Sequence, residues 1–254
     1  GLTRDPYLMT GLSNMWVNVG RAQFHLPARP PQVVRGTTGL VLPDLAALLH
    51  RLHAVQTELE GTKFSFRETN DGVETTCPWG NRIRCHAPDA ARFGPITLGM
   101  PYVEFDIPQG TDLPAIARFY REIIGAIAGV DHDGRGAFAW AVLGDGNRAV
   151  YRETTAKLPA FDGHHIQIAL ADFSGPHRKL LERGLITEES DQHQYRFTDI
   201  VDVETGKLLF QVEHEVRSMR HPLFGRPLVN RDAEKTNRNY VPGWDAWRWA
   251  MPAG

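Results

Sequence analysis

Imidazole and carboxylate side chains concentrate at two places in the second half of this sequence. His164 and His165 begin one apolar run, and Glu213, His214 and Glu215 lie towards the end of another. Such side chains are common protein ligands of divalent iron, manganese, zinc and nickel. A catalytic site typically uses about three protein ligands and leaves positions open for substrate or water. The sequence therefore contains the donor atoms for metal-dependent chemistry.

A second interpretation of the carboxylates of Glu213 and Glu215 requires no metal. The two-residue period of a strand places both side chains on one face and His214 on the other. That face could be solvated, with Arg217 and Arg220 as salt-bridge partners of the two carboxylates. Residue types and spacing alone leave both interpretations open.

Three similar segments, each a strand followed by a helix, must position these side chains. They begin at Thr37, Tyr102 and His165, at intervals of 65 and 63 residues, which indicates a structural repeat. Residues that favour helix starts follow each strand, namely Asp44, then Thr111 or Asp112, and Ser174. Strand-like segments broken by turn residues follow each helix. The sequence therefore predicts an α+β fold of tandem βαβββ modules.

The ends of the chain add an incomplete module and an extension. Residues 15–27 have the pattern of the closing strands of a further module, whose opening strand and helix are not recognisable. We therefore predict a first module pair at 1–92, a second pair at 93–220 and a C-terminal extension at 221–254. In the extension, arginines could clamp an anionic substrate, whereas its three tryptophans are interpreted as a strap against the body or a partner.

Composition limits the classes of partner. The 254 residues carry a formal net charge of -2 with both signs interspersed, so no basic surface for nucleic acid is expected. No apolar run approaches the ~20 residues that span a bilayer, which predicts no membrane partner and a cytoplasmic location. Cys77 and Cys85 are too few for a disulfide framework or a complete zinc knuckle.

Several short motifs resemble those of the vicinal oxygen chelate superfamily, which contains glyoxalases, bleomycin-resistance proteins and extradiol dioxygenases. The motifs are Cys77-Pro78-Trp79-Gly80-Asn81-Arg82-Ile83, Thr38-Gly39-Leu40-Val41-Leu42-Pro43-Asp44-Leu45, Gln23-Phe24-His25-Leu26 and His164-His165-Ile166-Gln167-Ile168-Ala169. The resemblance covers most of residues 14–216. It implies that paired modules form cupped mixed sheets around a cleft, with a divalent metal held by the first and last strands.

The resemblance places a metal site in the downstream module pair. His165 matches the first-strand ligand, and Glu213 is the preferred last-strand carboxylate. The third ligand would come from His164, His214 or Glu153, and the metal would be Fe, Mn, Zn or Ni. We favour His165, Glu213 and His214 as the metal-binding set.

The resemblance also implies catalytic residues beside that metal. Tyr102 occupies the position of a second first-strand ligand, where the family has His or Gln. We therefore predict that Tyr102 or Glu153 acts as the acid, the base or a substrate contact. A core or rim tyrosine is the alternative interpretation of Tyr102.

The upstream module pair departs from the metal-binding pattern. His25 falls on a last-strand ligand position, but Thr37 and Arg84 occupy the positions of its expected partners. An arginine cannot bind a cation and would repel it. His25 is therefore interpreted as a half-buried strand histidine with a hydrogen-bond partner.

Two hypotheses for the function follow. The first is a metal-dependent dioxygenase, lyase or isomerase that acts on a small oxygenated substrate, within one chain or as a homodimer. The second is a metal-free protein that binds or sequesters a small molecule. In the second hypothesis the sheets hold an aromatic ligand between Trp140, Tyr151, Phe197 and Phe210.

Overall fold

The computed structural model describes residues 2–4, 14–191, 193–221 and 224. The predicted C-terminal extension, with its tryptophans and the arginines at 226 and 231, lies outside these residues except at His221 and Phe224. Fifteen strands and four α-helices form within the described ranges. None of these helices has the length and apolar composition that a bilayer crossing requires.

Three βαβββ modules form as predicted. The first comprises β4 (Gly36–Val41), α1 (Leu45–Val55), β5 (Ser65–Thr69), β6 (Gly72–Thr76) and β7 (Arg82–His86). A short helix, α2 (Ala90–Phe93), precedes the second module, which comprises β8 (Gly99–Pro108), α3 (Leu113–Phe119), a π-helical turn (Tyr120–Ile124), β9 (Ala128–Asp133), β10 (Gly136–Gly144) and β11 (Asn147–Thr154). The third comprises β12 (His165–Leu170), α4 (Ser174–Leu181), β13 (Ile186–Asp191), β14 (Gln194–Val201) and β15 (Leu208–Ser218).

The N-terminal residues form a separate antiparallel sheet. It contains β1 (Thr3–Arg4), β2 (Asn14–Val19) and β3 (Ala22–Pro27) in that order. The hairpin of β2 and β3 corresponds to the closing strands predicted at 15–27.

Polar caps start α1 and α3 where the sequence predicts them, whereas Ser174 is the first residue of α4 and does not cap it. The Asp44 carboxylate accepts a hydrogen bond from the Ala47 amide at 2.8 Å, and Asp112 accepts one from Ala115 at 2.9 Å. Each bond satisfies an amide that has no partner within the first turn. Leucine, isoleucine and phenylalanine side chains recur at helical spacing along one face of these helices. That face packs against the sheets and forms part of their hydrophobic cores.

The first and second modules share one eight-stranded sheet, in the order β5-β6-β7-β4-β8-β11-β10-β9. Their opening strands β4 and β8 pair antiparallel, with Thr37 opposite Glu104. The boundary predicted between residues 92 and 93 thus lies between strands that pair within one sheet. The complete module at 36–86 uses the free edge of β4 to pair with the module that follows it, not with the incomplete one before it.

The third module forms a four-stranded sheet in the order β12-β15-β14-β13. Its inward face shares a hydrophobic core with the second module. Phe105 and Tyr151 of the second module and Phe197 and Phe210 of the third belong to that one cluster. The shared core therefore joins the two sheets through side chains where no strand pairing joins them.

Three of the four aromatic residues that the metal-free hypothesis places around a ligand lie in this core. Tyr151 and Phe197 are fully buried, and Phe210 is nearly so, on the core side of their strands. Tyr151 packs against Phe210 with ring centroids 5.9 Å apart. Trp140 lies between the buried Ala139 and Ala141 and faces the other side of the sheet. Tyr151, Phe197 and Phe210 therefore fill the core, and Trp140 does not lie with them.

Candidate functional site

The candidate site centres on the His165–Glu213 pair at the edge of the four-stranded sheet. β12 and β15 are parallel neighbours, and their register places His165 directly opposite Glu213. The Nδ1 atom of His165 lies 3.9 Å from Oε1 of Glu213, and both side chains are half-buried. The structure thus brings together the two residues that match the first-strand ligand and the last-strand carboxylate of the family pattern.

His25 adds a second imidazole to this pair. Its ring centroid lies 6.3 Å from that of His165, and on its other side the ring stacks on Trp16 at 4.1 Å. The contact joins β3 of the N-terminal sheet to β12 of the third module. The sequence interpretation placed His25 in a different, upstream site, because residues 140 positions apart carry no local signal of contact.

Burial keeps the His25 and His165 imidazoles neutral near pH 7. Burial, together with the nearby His165, lowers the pKa of His25 to about 4. Burial also lowers the pKa of His165, although the carboxylates of Glu215 and Glu213 act in the opposite direction. A neutral imidazole retains a lone pair, which is the form that binds a metal.

Arginines hold the carboxylates beside these imidazoles. Arg196 of β14 donates to Oε1 of Glu213 at 2.6 Å and to Oε2 of Glu215 at 2.5 Å. Arg217 contacts the other oxygen of Glu215, also at 2.5 Å. Arg217 is the salt-bridge partner expected from the sequence, whereas Arg196 is one that the sequence analysis missed. Tyr195 and Phe197, on either side of Arg196 in the chain, are apolar and point into the core. Strand alternation therefore directs Arg196 to the opposite face, which carries Glu213 and Glu215.

His214, which the sequence analysis favours as the third metal ligand, lies on the other face of β15 from Glu213. It is fully buried on the opposite face of β15 and stacks on Phe197 with centroids 4.2 Å apart. Its Nδ1 donates to the carbonyl of Val212 at 2.9 Å, and its Nε2 accepts from the Tyr120 hydroxyl at 2.6 Å. Both ring nitrogens are engaged in the core, because strand alternation turns His214 away from its two glutamate neighbours.

The other candidate ligand, His164, also lies outside the cluster. Its buried ring donates from Nδ1 to the carboxylate of Asp162 at 2.8 Å. Phe161 contacts the ring edge-on, with centroids 5.0 Å apart. His164 therefore anchors the segment that leads into β12.

Tyr102 and Glu153, the predicted catalytic residues, lie in the eight-stranded sheet and apart from His165. The Tyr102 hydroxyl is 2.8 Å from Nε2 of His86. The Glu153 carboxylate accepts a hydrogen bond from the Gly110 amide at 2.8 Å. Neither of these printed partners belongs to the His165–Glu213 pair, and both residues lie on strands of the eight-stranded sheet.

The donor set at His165 fits a divalent metal by residue type. It offers two neutral imidazoles, from His25 and His165, and the Glu213 carboxylate. In the described part of the chain, however, no three His, Cys, Asp or Glu side chains are arranged around one point as metal ligands. Arg196 hydrogen-bonds to Oε1 of Glu213, and the carboxylate has a second oxygen, Oε2, that could bind a cation.

Solved structures share this architecture. A candidate dioxygenase from Bacillus subtilis subsp. subtilis str. 168 aligns with a TM-score of 0.50 and 14% sequence identity over 94% of this chain and 81% of its own. Glyoxalase I from Zea mays aligns with a TM-score of 0.53 and 11% identity over 86% of this chain and 83% of its own.

The chain has the vicinal oxygen chelate fold. The resemblance inferred from its motifs is thereby confirmed at the level of the fold. No protein-family profile and no curated protein sequence matches the chain. At such low identities the shared fold does not carry over a reaction, so any activity must be argued from the residues of the site.

Proposed function

We propose that the protein is a divalent-metal-dependent enzyme of the glyoxalase or dioxygenase type that acts on a small oxygenated substrate. His25, His165 and Glu213 would hold the metal. The observation that carries the proposal is the contact between His165 and Glu213, at 3.9 Å, with a second neutral imidazole beside them. His25 takes the place that the sequence assigned to His214.

Each residue of this set has a defined task. His25 and His165 offer lone pairs because burial keeps them neutral. Glu213 offers negative charge, and Arg196 holds that carboxylate on the same face as the imidazoles. The chemistry supplied by a metal bound here is the polarisation of two neighbouring oxygens on the substrate.

The surroundings of the site support a small substrate. Trp16 covers one face of His25, and the Arg217 guanidinium lies 5.9 Å from the Trp16 ring. An aromatic wall beside a cation suits a flat, oxygenated and partly anionic molecule. Fe, Mn, Zn and Ni all fit two imidazoles and a carboxylate, and iron in particular suits oxygen chemistry. A homodimer remains a prediction.

Metal analysis of purified variants tests the proposal. We expect about one divalent metal per chain after exposure to Fe(II), Mn(II), Zn(II) or Ni(II) and removal of excess metal. His25→Ala, His165→Ala and Glu213→Gln should each lose most of it. His177→Ala is the matched control, because His177 forms a similar His–Glu pair with Glu189 at 2.7 Å on the outside of the same module.

The metal-loaded protein should then be screened against catechols, chelating diols and keto acids. Turnover that requires the metal and fails in His165→Ala would agree with the proposal. A protein that retains no metal, or that binds metal equally well in all three site variants, would contradict it.

A further inference from the structure

The eight-stranded sheet has a polar face opposite its helices, and this face carries a hydrogen-bonded tyrosine–histidine pair. His86 is buried, and its Nδ1 lies 3.0 Å from the backbone carbonyl of Asp71. A carbonyl only accepts, so Nδ1 carries the proton and Nε2 has a free lone pair. The Tyr102 hydroxyl, at 2.8 Å, therefore donates to Nε2 of His86.

Gly39 makes this pair possible. The Tyr102 ring starts on β8 and crosses β4 to reach His86 on β7. A Cβ atom at Gly39 would lie 2.3 Å from Cε1 and Cζ of that ring. Only a residue without a side chain allows the ring to lie flat across β4, because any Cβ would occupy the same space.

Positive charge lies beside the Tyr102 hydroxyl. Burial is the largest effect on Tyr102 and raises its pKa, whereas Arg84 and Arg92 lower it. The phenol is therefore protonated at rest. The two guanidinium groups would stabilise negative charge that develops at or near its oxygen during a reaction.

Arg148 lies on the other side of Tyr102. The two residues are directly opposite each other in the pairing of β8 with β11, and the Arg148 guanidinium lies 5.2 Å from the Trp140 ring. Other arginines of this face each pair with a carboxylate, namely Arg82, Arg84, Arg135 and Arg152. Among the described residues, Arg148 has no carboxylate within ion-pairing distance.

The spacing of these groups suits a small molecule with two oxygen functions. Arg84 and Arg148 are separated by three strand spacings, about 14 Å between backbones, with Tyr102 and Gly39 between them. Two arginine side chains can converge over that distance on a short ligand. A carboxylate would satisfy Arg148, and a neighbouring carbonyl oxygen would face Arg84.

We propose that this face is a second, metal-independent catalytic site that removes a proton from a small 2-oxo acid. The hydroxyl of Tyr102 takes a proton from the carbon next to the ketone as it passes its own proton to Nε2 of His86. The electron pair of the broken C–H bond moves towards the ketone oxygen, where Arg84 stabilises the resulting enolate. Reprotonation follows the same path in reverse after the proton on Tyr102 has exchanged with solvent, and it restores every group, so no other reactant is consumed.

Hydrogen–deuterium exchange tests this site without reference to metal. Pyruvate and 2-oxobutyrate are incubated with the protein in D2O containing EDTA, and loss of the proton signal beside the ketone is followed by NMR. We expect exchange about 100-fold or more above the buffer rate. Because EDTA removes free divalent metal from the assay, this result is separable from the metal-dependent function proposed above.

Variants distinguish catalysis from structure. Tyr102→Phe should reduce exchange to near the buffer rate, and so should Gly39→Ala, which displaces the ring but keeps both reacting groups. Arg148→Gln should raise the half-saturating concentration about tenfold or more, because it removes a charged hydrogen bond. Arg67→Gln is the matched control, since Arg67 lies on the same face in a pair with Glu74.

His86 acts through Tyr102, so its test is a pH profile. Burial lowers the pKa of His86 below its ordinary value, and Arg92 and Arg84 add to this, while the Asp71 carbonyl and carboxylate raise it. The wild-type rate should fall as the pH drops through that pKa, because only neutral His86 accepts the proton. His86→Gln should be slow at every pH and lack this inflection.

Two results would overturn the proposal. One is an exchange rate equal to that of buffer with the wild-type protein. The other is a rate that Tyr102→Phe and Gly39→Ala leave unchanged while circular dichroism shows both variants folded.

Discussion

Burial determines what each histidine of this protein can do. His25 and His165 contact each other where two sheets meet, and His165 also lies beside Glu213. Burial lowers the pKa of both imidazoles, which keeps them neutral near pH 7. His214 is only one residue from Glu213, yet it is fully enclosed and both ring nitrogens are engaged. The same side chain is therefore a candidate ligand on one face of a sheet and a core residue on the other.

The pH dependence of stability should report on His214. Burial lowers its pKa to about 3 in the folded protein, below the ordinary 6.5, so the unfolded chain binds the proton more tightly. The stabilisation is complete above pH 6.5 and is lost as the pH falls towards 3, at about 1.4 kcal/mol per pH unit. In urea unfolding at pH 7, 6 and 5, His214→Phe should show a shallower loss than wild type. An unchanged slope would contradict this, and exposed His50→Gln is the control.

The helix α3 is stabilised more by the packing of its apolar face than by its cap. The second module buries five of the seven residues of α3, including Leu113, Ile116 and Phe119. Packing of this kind contributes several kcal/mol, which exceeds the contribution of any single cap. The Asp112 cap therefore sets where α3 begins, and the core determines that α3 persists.

Removal of the Asp112 cap should have a small and defined cost. Asp112→Ala loses the hydrogen bond to the Ala115 amide, which should lower the free energy of unfolding by about 1 kcal/mol. Asp145→Ala removes a fully exposed ion pair with Arg21 and should change it by less than about 0.5 kcal/mol. Urea unfolding compares the two variants. An equal loss in both would show that the cap bond does not contribute.

In the whole molecule, strand pairing and core packing join different modules. The β4–β8 pair joins the first module to the second, whereas the shared hydrophobic cluster joins the second to the third. The second module is therefore the link between the two sheets. No cut between modules leaves all of these contacts intact.

A cut at the sequence-predicted boundary should therefore prevent folding. Residues 1–92 expressed alone expose the edge of β4, and 93–254 expose that of β8, so both lose a continuous antiparallel pairing. We expect poorly dispersed NMR spectra for each fragment alone and improved dispersion when they are co-expressed. Two independently folded fragments would show instead that the boundary is a true domain limit.

The sequence determined the repeated unit of this protein and the pair at the centre of the candidate site. The interval between modules, the caps at Asp44 and Asp112, and the alternation around Glu213 are local patterns that arise from neighbouring residues. Local patterns also place His165 and Glu213 on the first and last strands of one module. Parallel pairing within that module then brings the two residues together.

Only the tertiary structure decided which modules share a sheet and which third side chain joins the pair. The free edge of β4 could pair with either neighbouring module, because backbone hydrogen bonds do not distinguish between them. His25 reaches His165 across 140 residues, and Tyr102 reaches His86 only because Gly39 leaves space for its ring. Such contacts depend on how the separate sheets pack, and packing between distant segments leaves no periodic signal in the chain.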